Sequence, residues 1–313
     1  MELWQFIKEK LEDSQDVLLL CVLYSEGSSP GRQGFKMAVA QDGSFSGTIG
    51  GGIMEHKLVE KARQMFQNQI LDNQLIWQHH DKEKTKDRSG MICSGSQLNA
   101  FVHISKKDLL SIEQILEGMP CFLTLNASGI HVHNIENRHS NFELSNTDNN
   151  NWTYVEKLNA KPKVHIFGGG HVSLALSELL AFLDFEVIVY DDRKDLSTLE
   201  QNTFANKKII IPDYLEIGQA VQFSKDDFVI IMTIGFRTDK IVLRQLLNEN
   251  VRYLGMLGSQ HKTATLLKEL QTEGFCNEQL AKIKSPIGLN IHSKTSREIA
   301  VSIAAEIIAN KNS

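Results

Sequence analysis

The stretch that most constrains this chain is "VHIFGGGHVSLAL", residues 164 to 176, an apolar run that ends in three glycines and passes directly into a helical pattern. A strand that feeds a helix through such a loop opens a strand–helix–strand unit, and "EVIVYD" at 186 to 191 supplies the second strand. Gly168, Gly170 and Ser173 occupy the three small-residue positions of G-x-G-x-x-G/A, and Asp191 ends the next strand 23 residues past Gly168. Glycines let backbone approach a phosphate, and the helix N-terminus offers free N–H groups and the positive end of its dipole. An acid at the end of the second strand can take a ribose 2′-hydroxyl, and Arg193 beside it can equally meet a 2′-phosphate. Gly168, Gly169, Gly170, His171, Asp191 and Arg193 are therefore candidate cofactor-binding residues. The competing reading is architectural, because a sheet of this kind needs a tight turn here with or without a ligand.

From Lys163 onward strands and helices alternate. "KKIII", "DFVIIMTIG" and "RYLGML" read as strands, with helices over 237–249 and 261–272. Near-continuous apolar strands predict a parallel sheet covered on both faces. The last helix opens at Thr295 with Glu298 three residues on, a capping box. The predicted fold class is α/β, with a small N-terminal α+β domain (1–138), a linker or loop (139–160) and a Rossmann-like parallel-sheet C-terminal domain (161–313). The linker rests on "HSNFELSNTDNNNW", which is polar, Asn-rich and without periodicity.

A second glycine triplet, Gly50, Gly51 and Gly52, follows a predicted hairpin with Asp42-Gly43 at its turn and opens another helix. No second strand with a terminal acid follows it. Glu55, in the helix's first turn, complements the dipole. Close packing of hairpin on helix explains this triplet on its residues alone. Two further glycine-containing loops, "GSSPGRQGF" at 27–35 and "ICSGS" with Cys93, are expected beside it and could wall a flat polar ligand, which makes Gly50, Gly51, Gly52 and Glu55 candidate cofactor-binding residues as well. Residues 17–23, "VLLLCVL", read as a buried strand.

Composition removes several classes. A net charge of −5 leaves no basic footprint for nucleic acid. No apolar run is long enough to span a membrane. The acid-rich start lacks a signal-peptide n-region, and four widely spaced cysteines without a C-x-x-C pair speak against a zinc ribbon or disulfide framework, so the expected compartment is the reducing cytoplasm. His79-His80 and "HVH" at 131–133 lack a third ligand at metal-binding spacing.

Taken in order, "GSSPG" (27–31), "DGSFSGTIGGGIMEH" (42–56), "MICSGS" (91–96), "HIFGGGHVSLAL" (165–176), "YDDR" (190–193), "YLGMLGS" (253–259) and "SPIGLNIHSKTSREIAVSIAAEI" (285–307) resemble the xanthine dehydrogenase accessory family, of XdhC/CoxI type. The resemblance implies a non-catalytic maturation factor that binds molybdenum cofactor (molybdopterin), protects it during sulfuration and hands it to a xanthine dehydrogenase-type molybdoenzyme. It also implies a cysteine desulfurase as a second partner and a homodimer. Cys93 aligns with the cysteine of the family's C-G-G motif, which makes it the expected cofactor and metal contact; a thiolate suits a soft centre. Ser94 replaces the motif's first glycine, Ile234 stands where the family has a histidine, and Gln260 stands where an arginine is common. The alternative is an NAD(P)-dependent oxidoreductase using the Rossmann domain, with NAD(P) or another nucleotide as cofactor. Such an enzyme needs an acid or base facing the nicotinamide, and no motif announces one.

Overall fold

The computed structural model describes residues 1–79, 95–134, 141–148 and 151–312. The chain divides into two compact units, Met1–Ala160 and Lys161–Ser313.

The first unit runs α1 (Glu2–Glu12), β1 (Val17–Gly27), β2 (Lys36–Ala40), β3 (Phe45–Gly47), α2 (Gly52–Gln67), β4 (Gln74–His79), β5 (Gly95–Ile104), α3 (Leu109–Leu116), β6 (Cys121–Asn126), β7 (Gly129–Asn134), β8 (Phe142–Asp148) and β9 (Asn151–Leu158). Two antiparallel sheets result, one ordered β3-β2-β1-β5-β4 and the other β7-β6-β9-β8. β1 reads as an unbroken apolar run because it is buried on both faces. Leu19, Cys21 and Leu23 face α1, α3 and the four-stranded sheet, while Leu18, Leu20 and Val22 face Leu58, Ala62 and Met65 of α2.

The linker expected at 139–160 is corrected by the structure. Its described residues carry β8 and β9, and β9 pairs with β6 through Leu123–Glu156 and Leu125–Tyr154. Trp152 and Tyr154 are buried there. Their alternation is hidden by the asparagines around them, and β8 reads as a loop because it is an exposed edge strand with little to bury.

The second unit runs β10 (Lys163–Phe167), α4 (His171–Phe182), β11 (Glu186–Asp191), α5 (Ser197–Glu200), β12 (Lys207–Ile210), α6 (Ile217–Ala220), β13 (Phe228–Ile231), α7 (Phe236–Leu246), β14 (Tyr253–Met256), α8 (Gln260–Thr272), α9 (Asn277–Leu280), β15 (Ile283–Lys284) and α10 (Ser296–Lys311). Every pairing is parallel, and the order β12-β11-β10-β13-β14-β15 is that of the doubly wound dinucleotide fold. α4 and α10 cover one face through Leu176, Leu180, Ile303 and Ile307; α7 and α8 cover the other through Val242, Leu246, Leu266 and Leu270. The fold class is the predicted one. α4 turns its small residues, Ser173 and Ser177, inward with Leu176 and Leu180, leaving Val172, Leu179 and Leu183 only partly buried. Close approach of helix to sheet decides that rotation, since only a small side chain fits at the third position of the glycine motif.

Candidate functional site

In an open parallel sheet the crevice lies at the carboxyl ends of the strands, where the order reverses. Here that point falls between β10 and β13, whose following loops touch. Gly168 adopts φ +112°, its N–H donates to the Tyr190 carbonyl at 2.7 Å, and a methyl group on it would stand 2.3 Å from the Met232 oxygen. No other residue fits. Gly170 is the N-cap of α4, caps it with no side chain, and has nothing of the described residues within 4 Å of the position a Cβ would take. The first turn of α4 therefore presents N–H groups without intrahelical partners toward open space. His171 begins that turn and is exposed.

Gly169 is held from both sides. Its N–H donates to Asp191 Oδ2 at 2.7 Å, and the Thr198 hydroxyl donates to its carbonyl. Asp191 is fully buried, and Arg193 closes on it with three donors: the backbone N–H at 2.9 Å and Nε at 2.8 Å on Oδ1, and Nη2 at 2.8 Å on Oδ2. Burial, the largest single influence, pushes the Asp191 carboxyl up. The Arg193 guanidinium and the N–H groups of Gly169 and Arg193 outweigh it and hold the group below the usual carboxylate range.

Across the crevice, α7 also starts at an uncapped glycine, Gly235, at φ +131° with nothing of the described residues within 4 Å of a Cβ position. Asp239, one turn in, is buried. Its Oδ1 accepts the Thr233 N–H at 3.0 Å and the Thr233 hydroxyl, and its Oδ2 accepts from Lys262 of α8. Thr233 and Asp239 of the family segment thus fix the loop, while Ile234, at the histidine position, points outward at 70% exposure. Lys262 and Thr198 had no signal in the sequence; each is recognisable only once its loop partner is in place.

The first triplet has a different task. A methyl on Gly50, at φ +123°, would meet Gly31 N at 2.4 Å and the Pro30 carbonyl carbon at 2.6 Å, so backbone packs on backbone there. Gly51 and Gly52 also adopt positive φ, and among the described residues nothing lies within 4 Å of a Cβ built on Gly51. Glu55 does not reach outward. Its Oε2 accepts the Thr48 hydroxyl at 2.6 Å and the N–H groups of Ile49 and Gly51, each at 2.9 Å, which ties the turn together. Burial raises its pKa most, and these hydrogen bonds bring the balance below the ordinary value. Beneath lies a buried amide network. Gln97 accepts from Ser29 at 2.7 Å and donates to Asn99 at 3.0 Å and Gln78 at 3.1 Å, joining the "SSPG" loop to β4 and β5. The two predicted neighbours do meet at this end, since Gly95 packs against Glu26 and Ser29. Cys93, with His80 and the charged run 81–88, lies outside the described residues. Among the described residues no group of three His, Cys, Asp or Glu is placed to hold a metal ion, and no helix is long and apolar enough to cross a membrane.

Two family models match the chain: the XdhC and CoxI family over residues 11–72, and the XdhC Rossmann domain over residues 164–307. A Bacillus subtilis protein described as a probable subunit of xanthine dehydrogenase is 26% identical over 95% of this chain and 94% of its own. The uncharacterized protein YqeB of Escherichia coli is 25% identical over 93% of this chain but only 43% of its own length, so the chain spans less than half of that relative. A crystal structure of a xanthine dehydrogenase from Bacillus halodurans superposes with a TM-score of 0.67, covering 99% of this chain and 96% of that one, at 24% identity; this likeness concerns the fold.

Proposed function

Since the chain belongs to the XdhC and CoxI family, we propose that it is an accessory factor of a xanthine dehydrogenase-type molybdoenzyme, which binds molybdenum cofactor, shields it during sulfuration and passes it to that enzyme. The observation that carries this reading is the ordered match of both family models, with the motif loops of each unit formed as turns. The Bacillus subtilis relative, by its description as part of a xanthine dehydrogenase, supports the choice of client.

The donor set fits the phosphate end of such a cofactor. The uncapped first turn of α4, with open space over Gly170, would receive the anion. Cys93 is the residue the family resemblance assigns to the metal end. When bound, the cofactor brings its own dithiolene and metal; the chain's part is to hold it, exclude water and release it. A homodimer, a cysteine desulfurase as second partner and a cytoplasmic setting belong to the same proposal. The rival reading, an NAD(P)-dependent oxidoreductase, draws on the strand order and the glycine-loop fingerprint of the second unit.

The test is anaerobic purification followed by mass spectrometry for bound molybdopterin, and transfer to a cofactor-free molybdenum hydroxylase assayed by recovered activity. Bound molybdopterin and recovered activity are expected, both reduced in Gly170→Val and Cys93→Ala. Wild-type protein that carries none, and takes none up when offered it, overturns the proposal.

A further inference from the structure

We infer that Asp191 and Arg193 form an internal latch over the ribose position of the second unit's glycine loop, so that the loop turns dinucleotides away and serves a ligand whose phosphate is a terminal monoester. The inference rests on the reading above, in which this loop receives the anionic end of a cofactor.

On the β11 side of such a loop a dinucleotide needs an acid with acceptor positions free for the ribose hydroxyl. Those positions are used internally here, the first of them by the Gly169 N–H. A carboxylate offers about four acceptor sites, and those of Asp191 take Gly169 and three donors of Arg193. The guanidinium fork is matched to the carboxylate and so is not presented to a 2′-phosphate, which closes the site to both forms of the dinucleotide.

Side chains fill the space as well. A methyl on Gly169 would lie 3.1 Å from Leu196 Cδ2 and 3.2 Å from Leu199 Cδ1, where the chain folds back after β11. At Gly170 and at Gly235 the opposite holds: no atom of the described residues lies within 4 Å of the position a Cβ would take. An anion at the first turn of α4 therefore has room at Gly170, whereas Leu196 and Leu199 crowd the Gly169 side.

Calorimetric titration of the full chain with NAD⁺, NADP⁺ and inorganic phosphate tests this, using wild type, Arg193→Ala and Arg193→Gln, each checked for folding by thermal melting. Wild type is expected to show no saturable binding of either dinucleotide at millimolar levels. The variants are expected to bind NAD⁺ about ten- to hundredfold tighter than wild type, as the latch no longer has to be broken first. Micromolar binding of either dinucleotide by wild type overturns the latch, and so does equal non-binding by wild type and both folded variants. Failure of the underlying reading shows elsewhere: no molybdopterin on the anaerobic protein together with no melting-temperature rise in phosphate.

Discussion

Gly168 stands so close to Met232 that the Cβ of any other residue would come within 2.3 Å of the Met232 carbonyl oxygen. The contact joins the loops after β10 and β13 at the point where strand order reverses, and it demands both a missing side chain and a positive φ. Gly168→Ala is expected to cost at least about 2 kcal/mol, from the strained backbone and from the forced separation of the loops. Gly170→Ala, at φ −72° with open space around it, should stay within about 0.5 kcal/mol of wild type. Urea unfolding of both variants checks this; equal losses would show that the contact does not discriminate the two glycines.

Ser173 is fully buried, and its hydroxyl has no hydrogen-bond partner among the described residues. Ser173→Ala removes an unsatisfied polar group from a helix and should stabilise the second unit by about 1 kcal/mol. A thermal melt that shows the variant less stable than wild type would mean the hydroxyl is bonded in solution.

Asp191 gives the second unit a defined acid response. Its folded pKa lies below the ordinary value because, although burial raises it, the bonds from Arg193 and Gly169 outweigh burial. Its contribution is therefore complete above the unfolded pKa of about 3.9 and is lost as pH falls through the folded value. The urea midpoint of wild type should drop below about pH 4 by more than that of Asp191→Asn, which should already be weaker at about pH 7. Parallel acid profiles for the two proteins would locate the response elsewhere.

The cysteines should separate by reactivity. Cys21 is buried in β1, and burial pushes its thiol up to about 12, with Glu156 adding to the rise and Lys36 opposing it. Cys121 is buried and raised for the same reason, whereas Cys276 is exposed. Iodoacetamide labelling followed by peptide mass mapping should mark Cys276 and Cys93 in native protein, and Cys21 and Cys121 only in denaturant. Rapid native labelling of Cys21 would contradict its place in the core.

The second unit was legible because its order is written in local chemistry: apolar strand, glycine turn, helix, acid. The capping box at Thr295, the Asp42-Gly43 hairpin and the burial of "VLLLCVL" read off for the same reason. What escaped depends on partners far apart in sequence. β8 and β9 look like a linker until β6 is beside them. Asp191 looks like a ribose ligand until Arg193 and Gly169 are seen to use its oxygens. Glu55 likewise looks like a candidate ligand contact until the turn at Thr48–Gly51 is seen to use its carboxylate. A residue's type announces that it can accept a hydrogen bond, and only the fold decides from whom.

β1 is paired on one side with β2, Val17 against Ala40, and on the other with β5, Val17 against Ile104. In a chain made from its N-terminus the first neighbour follows almost at once, while the second waits until Ile104 has left the ribosome, a delay on the order of seconds at about 5–20 residues per second. During that interval the nascent chain holds a seven-residue apolar strand with one edge open. A slower passage from β2 to β5 during synthesis lengthens the time that edge stays open.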